Sequence, residues 1–352
     1  MKKVEIGIAD AIEKFSRKAK TDILEEFLDE RSRLDQTGKM LMHLIVHHWD
    51  TDGIASAALL IKALGLEEFD NLSPPIGEFR FDERIRKAIE KAERVYVLDL
   101  NLPQEVENID KEIIFIDHHI QPRIKNPRVK QINPALDGKE APSASFVVSE
   151  YFDMWNAWSA LGVVGDIGEK AFNMPKVVEL LDREGLTREE ALRIVELIDS
   201  NYIAMDREGV EKAVKVLLEN PVRELLNYEP WIKKAEAIKE AIQNALSNAE
   251  VKEGIAFITF ESPFNIISKV ARKAVWELNY KGAIVVNRNF HGKGQVYFRI
   301  SSEMTEKINM GEIISKLKEK GFNAGGKREV LGCVCERNKI KEVLGIINDH
   351  LR

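Results

Sequence analysis

Cysteine is almost missing: the 352 residues hold two, Cys333 and Cys335, at i and i+2 in GCVCE, where strand pairing points both side chains to one face. Alternate positions on one strand strain a disulfide, and the four-ligand spacing of a structural zinc site is absent, so both are read as small core residues. Long apolar runs are missing too: none approaches the ~20 residues that a membrane helix needs. The start, MKKVEIGIADAIEKF, has basic residues but no uninterrupted apolar segment behind them, which excludes a secretory signal and implies a cytoplasmic protein. Positive charge is not in excess. A net charge of −6 argues against a protein that coats nucleic acid over its whole surface, while leaving space for a local basic groove. A cluster of metal-binding carboxylates would also make the total acidic. Scarce Gln and Cys beside abundant Lys and Glu hint at a thermophilic source.

What is present is organised around Leu41 to Gly53, LMHLIVHHWDTDG. An apolar run containing Ile45 and Val46 breaks off into His47, His48, Trp49, Asp50, Thr51, Asp52 and Gly53, which reads as a buried strand ending in a polar loop. Two carboxylates separated by one residue, with an imidazole two positions before the first, repel each other unless a cation sits among them. The stretch therefore predicts a metal site at a strand end.

Length predicts two domains with a helical appendage. Residues 1–38 carry Ile8, Ile12, Phe15, Ala19, Ile23, Phe27 and Leu34 at spacings of three and four, an amphipathic helical segment whose apolar stripe is expected to pack on the chain's own body. Residues 39–227 alternate strand and helix. A helix is expected over Ile54–Leu64 and another over Arg84–Ala92, followed by two short apolar strands, VYVLD ending at Asp99 and IIFIDHH ending at Asp117, His118 and His119. Such alternation implies a parallel sheet flanked by helices, with ligands bound beyond the carboxyl ends of the strands. Three strands in succession thus deliver Asp or His to one edge. Ser143 is an N-cap candidate for the helix SASFVVSEYFDMW; Asp166 follows the small, apolar ALGVVG; residues 175–227 read as wholly helical, with Thr187 and Glu190 as a capping box.

A charged, Ala-rich helix opened by Pro230 is read as the connector, residues 228–252, to a smaller α/β domain over 253–352. In that domain strands are expected near Ile255–Phe260, Ala283–Asn287, Gln295–Ser301 and Glu329–Glu336, with helices near Phe264–Leu278, Met310–Lys320 and Lys339–Leu351. Five of the seven histidines, His43, His47, His48, His118 and His119, lie in or beside two strand ends. With Asp50, Asp52, Asp99 and Asp166 they make a donor set without thiolate, which suits Mn²⁺ or Mg²⁺ better than structural zinc.

HWDTDG at His48–Gly53, Asp99, DHH at Asp117–His119 and the Gly165-Asp166 pair occur in the order of the four motifs of the DHH phosphoesterase superfamily, which the chain resembles over about residues 40–352. The tail, with FRISS around Arg299 and AGGKREVLGC around Gly325, resembles the accompanying DHHA1 substrate-binding domain. The resemblance implies a two-metal hydrolase with Mn²⁺, or Mg²⁺, in which Asp50, Asp52, His118 and His119 are catalytic. His48, Asp50 and Asp99 would hold one ion; Asp52, Asp99, His118 and Asp166 would hold the other, with Asp99 bridging. Two cations about 3.5–4 Å apart activate a water and neutralise charge building on a phosphorus under in-line attack. His119 would face the scissile phosphate, Asp117 would orient the loop, and His43 and His47 would pack or support ligands. Trp49 reads equally as a lid or a core residue. Gly325 and Gly326 would let backbone N–H groups approach a phosphate; the family has His after this pair where this chain has Lys327, still a positive phosphate partner. Arg288, Lys293, Arg299, Lys327 and Arg328 are expected to line a basic groove, Arg299 foremost.

Among phosphoesters, the resemblance is to archaeal relatives of RecJ, most of all to the Hef-associated DHH nucleases. It implies a single-strand exonuclease of 3′→5′ polarity acting on DNA rather than RNA, in repair or replication, closing over the strand between its two domains. A trimer and a helicase or nuclease partner are expected, and no membrane. The alternatives are a phosphatase of nanoRNA, 3′-phosphoadenosine 5′-phosphate or pyrophosphate, and a catalytically silent replication scaffold.

Overall fold

The computed structural model describes residues 42–351, so the expected amphipathic segment at 1–38 lies outside the described residues. The chain forms two compact units, one running through Tyr202 and resuming at Asp206–Tyr228, the other made of Ile203–Met205 and Glu229–Arg352.

In the first unit five strands, β1 (His43–His47), β2 (Phe69–Leu72), β3 (Arg94–Leu98), β4 (Ile113–Ile116) and β5 (Val129–Ile132), form one sheet in the order β2-β1-β3-β4-β5. All four pairings are parallel. Leu44, Val46, Val95, Val97, Ile113 and Phe115 share a core with Ile85 and Ile89 of helix α2 (Glu83–Lys91). Helix α1 (Thr51–Leu64) is buried on almost every side, contacting α3 (Ala144–Phe152), α4 (Ala157–Ile167) and α7 (Arg207–Glu219). A helix of Ala, Ile and Leu with one charged residue after its first turn has no polar face to turn outward, and it goes to the centre. Ser143 caps α3, accepting from the backbone N–H of Phe146. Residues 175–227 are helical as expected, but as α5 (Pro175–Arg183), α6 (Arg188–Ile203), α7 and a 3₁₀ turn at Val222–Asn227. Thr187 and Glu190 cap α6 reciprocally.

The second unit begins with α8 (Glu229–Ser247) and builds a six-stranded mixed sheet from β6 (Glu250–Lys252), β7 (Ile255–Phe260), β8 (Gly282–Phe290), β9 (Lys293–Ile300), β10 (Asn323–Lys327) and β11 (Val330–Glu336). Its order is β10-β11-β9-β8-β7-β6. Val296, Phe298 and Ile300 pack one face against α10 (Met310–Glu319) and α11 (Ile340–Asn348). Helix α9 (Ile267–Arg272) runs straight into a π-helical turn, Lys273–Glu277. Cys333 and Cys335 are free and buried on one side of β11, with Val334 between them exposed. Burial pushes the Cys333 thiol up to about 12, so both behave as small apolar residues.

Gly325 and Gly326 lie inside β10, paired with Gly332 and Leu331 of β11. A Cβ on Gly326 would fall 2.0 Å from the carbonyl oxygen of Val330, so the close approach of two strands demands this glycine.

Candidate metal centre

The strand order reverses between β1 and β3, where the connections leave the sheet in opposite directions and open a crevice at the carboxyl ends. Register brings the residues there to one level. His47 pairs with Leu98 and Leu98 with Ile116, and the ladder continues: His48 N–H donates to Leu98 O, Asp99 N–H to Ile116 O and Asp117 N–H to Ile132 O. His48, Asp99 and Asp117 therefore stand in a row. Asp99 has φ of 57°, a left-handed conformation that Asp tolerates better than most residues and that turns the chain out of the strand.

Asp50 caps α1, its Oδ1 accepting from Gly53 N–H at 3.1 Å, while its Oδ2 lies 2.8 Å from His48 Nδ1. Asp52, in the first turn, is buried and accepts from the N–H groups of Ala144 (2.6 Å) and Ser145 (2.9 Å) at the start of α3. Each carboxylate oxygen keeps a second lone pair for another partner. Asp166, on α4, lies 3.1 Å from His118 Nε2. Asp99 occupies the middle, Oδ2 being 3.7 Å from His48 Nδ1 and Oδ1 3.5 Å from His118 Nε2.

Three donor groups result among the described residues, His48–Asp50–Asp99, Asp52–His118–Asp166 and Asp99–Asp117–His118–His119, each with its atoms mutually within 4.8 Å; the first two flank Asp99, and in the third the Asp117 oxygens are taken by hydrogen bonds. Three buried atoms facing inward, His48 Nδ1, Asp99 Oδ1 and His118 Nε2, make no well-formed hydrogen bond. An orphaned buried polar atom is costly, and these three, divided between the donor groups on either side of Asp99, fit bound cations. The donors are all imidazole and carboxylate, the set expected for a hard or borderline divalent ion. His118 Nδ1 donates to the carbonyl of Ala141 at 3.3 Å, which leaves the Nε2 lone pair for the centre.

Electrostatics agree. Burial pushes the Asp52 carboxyl up, and nearby Asp166 adds to it, to about 7; burial and Asp52 raise Asp99 well above the ordinary carboxylate range. Burial alone would depress His118, but Asp166 and Asp99 hold it up to about 11. Burial works against Asp50 as well, yet His48 beside it draws the carboxyl down to about 2. The cluster thus demands positive charge, as a proton or as a metal ion.

The remaining expected residues fall around this centre. Asp117 Oδ1 accepts from the backbone N–H of His118 (2.7 Å) and from His119 Nδ1 (2.7 Å), and its Oδ2 from Gln121 (3.0 Å). It orients the loop, and it leaves the far side of the half-exposed His119 ring free. His47 is fully buried, Nδ1 donating to His48 O at 2.7 Å and Nε2 meeting Asn71 Nδ2 at 3.2 Å; burial draws its imidazole down to about 4, so it is neutral. His43 packs on Tyr96. Trp49 is 7% exposed and lies between His48 and Phe79, with centroids at 4.3 and 5.3 Å, so it is a wall of the centre rather than a lid.

Several supports carry no sequence signal. Thr51 is anchored by Asp199 of α6, through N–H at 2.9 Å and Oγ1 at 2.7 Å, and Asn133 Nδ2 donates to His119 O. A Cβ on Gly162 would lie 2.5 Å from Asp52 Oδ1, so only glycine lets α4 pass that carboxylate.

In the second unit Arg299, on β9, places its guanidinium 4.8 Å from the centroid of Trp276. Arg288 is 3.5 Å from Glu261, and Lys293 is ion-paired with Glu336, so these two already have partners. Lys327 ends β10 and Arg328 follows it in the turn to β11.

The structure is thus, as a class, a parallel α/β domain with imidazoles and carboxylates gathered at its switch point, a donor set that could hold divalent cations. Residues 43–186 match the DHH family, N-terminal domain. No curated protein matches the sequence. Among solved structures, the chain is similar to a DHH domain described as a member of the S1p family of ribosomal proteins, at 16% identity and TM-score 0.65, over 98% of this chain and 92% of that one. It is similar to exonuclease RecJ bound to manganese, at 17% identity and TM-score 0.64, over 95% and 94% of the two chains. An exopolyphosphatase-related protein from Bacteroides fragilis aligns at 15% identity and TM-score 0.54, over 95% and 96%. At these identities the likeness is one of fold. No described helix is long and apolar enough to cross a membrane.

Proposed function

We propose that the chain is a two-metal phosphodiesterase, working as a single-strand exonuclease that releases nucleotides in the 3′→5′ direction, with DNA as substrate. The observation that carries the reading is the place of Asp99, one carboxylate with an oxygen toward each of two donor groups. His48, Asp50 and Asp99 hold one Mn²⁺; Asp52, Asp99, His118 and Asp166 hold the other; Mg²⁺ suits the same donors. When bound, the ions supply Lewis acidity and lower the pKa of an attacking water.

The chain's own groups do the rest. Asp117 fixes His119 through Nδ1, so that the other ring nitrogen meets a phosphate oxygen. Trp49 and α1 close the back of the centre against water. Residues 253–352 act as the DHHA1 substrate-binding domain, with Arg299 as the phosphate contact supported best, since it lacks a carboxylate partner among the described residues. Action in repair or replication, a trimeric assembly and a helicase or nuclease partner rest on the resemblance to the Hef-associated nucleases.

The test is hydrolysis of 3′-labelled and 5′-labelled single strands with Mn²⁺, with and without chelator, beside Asp50→Ala. Stepwise loss starting at the 3′ label, abolished by chelation and by Asp50→Ala, is expected. Release of the 5′ label first would reverse the polarity. Cleavage of dinucleotides or small phosphoesters alone would make the protein a small-substrate phosphatase, and no hydrolysis of any of these would make it a scaffold.

A further inference from the structure

Directly paired residues of antiparallel strands share a sheet face, and residues two apart on a strand do so as well. Across β9, β11 and β10 this puts Arg299, Val330 and Lys327 in one row and Tyr297, Gly332 and Gly325 in the next. The core lies on the other face, with Val296, Phe298 and Ile300. The Arg299 face is open where the glycines are. A Cβ on Gly325 would meet nothing within 4 Å, and one on Gly332 would only touch the Tyr297 ring at 3.5 Å.

At the edge of this face stands Trp276. It belongs to the π-helical turn Lys273–Glu277, closed by the Leu278 N–H donating to Lys273 O. Turns of this kind interrupt the regular helix and concentrate at functional sites. Trp276 is 59% exposed, an unusual position for the largest apolar side chain. The guanidinium of Arg299 lies over its ring at 4.8 Å, and Arg299 Nε is buried with no hydrogen-bond partner. A flat aromatic surface and an unneutralised cation are thus adjacent, beside an open face that ends in Lys327.

We propose that Trp276 is a nucleobase-stacking platform, with Arg299 holding the phosphate of the nucleotide whose base rests on the indole. This deepens the nuclease reading, on which it rests, by making the substrate a chain that carries bases rather than a polyphosphate or an unadorned phosphoester. A base offers every sequence the same π face, so the contact is strong and indifferent to sequence. A polyphosphate uses the arginine and leaves the indole idle.

The experiment compares a fluorescein-labelled single-stranded oligonucleotide with an abasic strand of the same length and charge, bound to the full chain in chelator and read by anisotropy. In the wild type the base-bearing strand is expected to bind about tenfold tighter, given what one stacked base contributes. That ratio should fall close to one in Trp276→Ala and be largely kept in Trp276→Phe, which retains an aromatic face. The base-bearing strand alone should quench the wild-type tryptophan fluorescence that Trp276→Phe removes. A wild-type ratio near one, or a ratio unchanged in Trp276→Ala, overturns the proposal. Binding is read without metal, so a protein that discriminates between the strands but hydrolyses neither would sink the nuclease and leave the platform standing. Hydrolysis with no discrimination would do the reverse.

Discussion

At the scale of single residues, the centre depends on side chains that are absent as much as on those present. A Cβ on Gly53 would lie 2.5 Å from the carbonyl oxygen and 2.6 Å from the Cβ of His48, both of them parts of the ligand loop. Gly53→Ala is therefore expected to destabilise the fold by roughly 1–3 kcal/mol and to weaken Mn²⁺ binding at least tenfold, measured by thermal denaturation and titration calorimetry. Asp117→Asn makes a complementary case. The carboxylate holds His119 and two backbone N–H groups, and an amide keeps its size but not its charge. Turnover should fall about 10–100-fold, with Mn²⁺ affinity changing far less because both Asp117 oxygens are engaged by hydrogen bonds within the loop; steady-state kinetics beside metal titration separates the two. The acids and imidazoles that gather at the strand ends were legible in the sequence because their chemistry resides in residue type and spacing. Their supports were not: Asp199 meets Thr51 from 148 positions away, and nothing local announces it.

At the scale of elements, the strands missing from the sequence reading are β2, β5, β6 and β10, and every one is a sheet edge. An edge strand has one neighbour and little burial, so it needs no apolar run. FDNL, VKQI, EVK and NAGGK bear none, whereas central strands such as IIFI are buried throughout and were read correctly. Helix ends follow capping chemistry instead. Asp82 caps α2 by accepting from Ile85 N–H at 3.1 Å, and it is paired with Arg207 at 2.5 Å. Burial pushes its carboxyl up, but the bond from Arg207 and the cap outweigh it and hold it below the ordinary 3.8. A depressed carboxylate stabilises the fold above its unfolded pKa, and that contribution disappears as the pH falls through the folded value. Asn still caps the helix but loses the charge that faces Arg207, so Asp82→Asn should cost about 1 kcal/mol at pH 7. In urea titrations its stability should converge on that of the wild type as the medium is acidified past the folded pKa.

At the scale of the molecule, the metal donors all belong to the unit that ends at Tyr228, and the Trp276–Arg299 pair belongs to the other. Metal should therefore stabilise one unit by mass action, by about 2.7 kcal/mol at a hundredfold excess over Kd. Hydrogen exchange should show added Mn²⁺ protecting peptides that contain residues 47–53, 97–101, 117–119 and 160–167, and leaving β8–β11 unchanged. Equal protection across both units would contradict the placement of the ligands. By itself the sequence determined the alternation of strand and helix, the core strands, the caps at Ser143 and Thr187, and the list of acids and imidazoles, since each depends on neighbours within a few residues. Only the tertiary structure decided that Asp99 stands between two donor groups, that Gly325 and Gly326 form a strand, and that Trp276 meets Arg299. Those outcomes depend on sheet order and register, which join segments far apart in the chain, and local chemistry does not encode them.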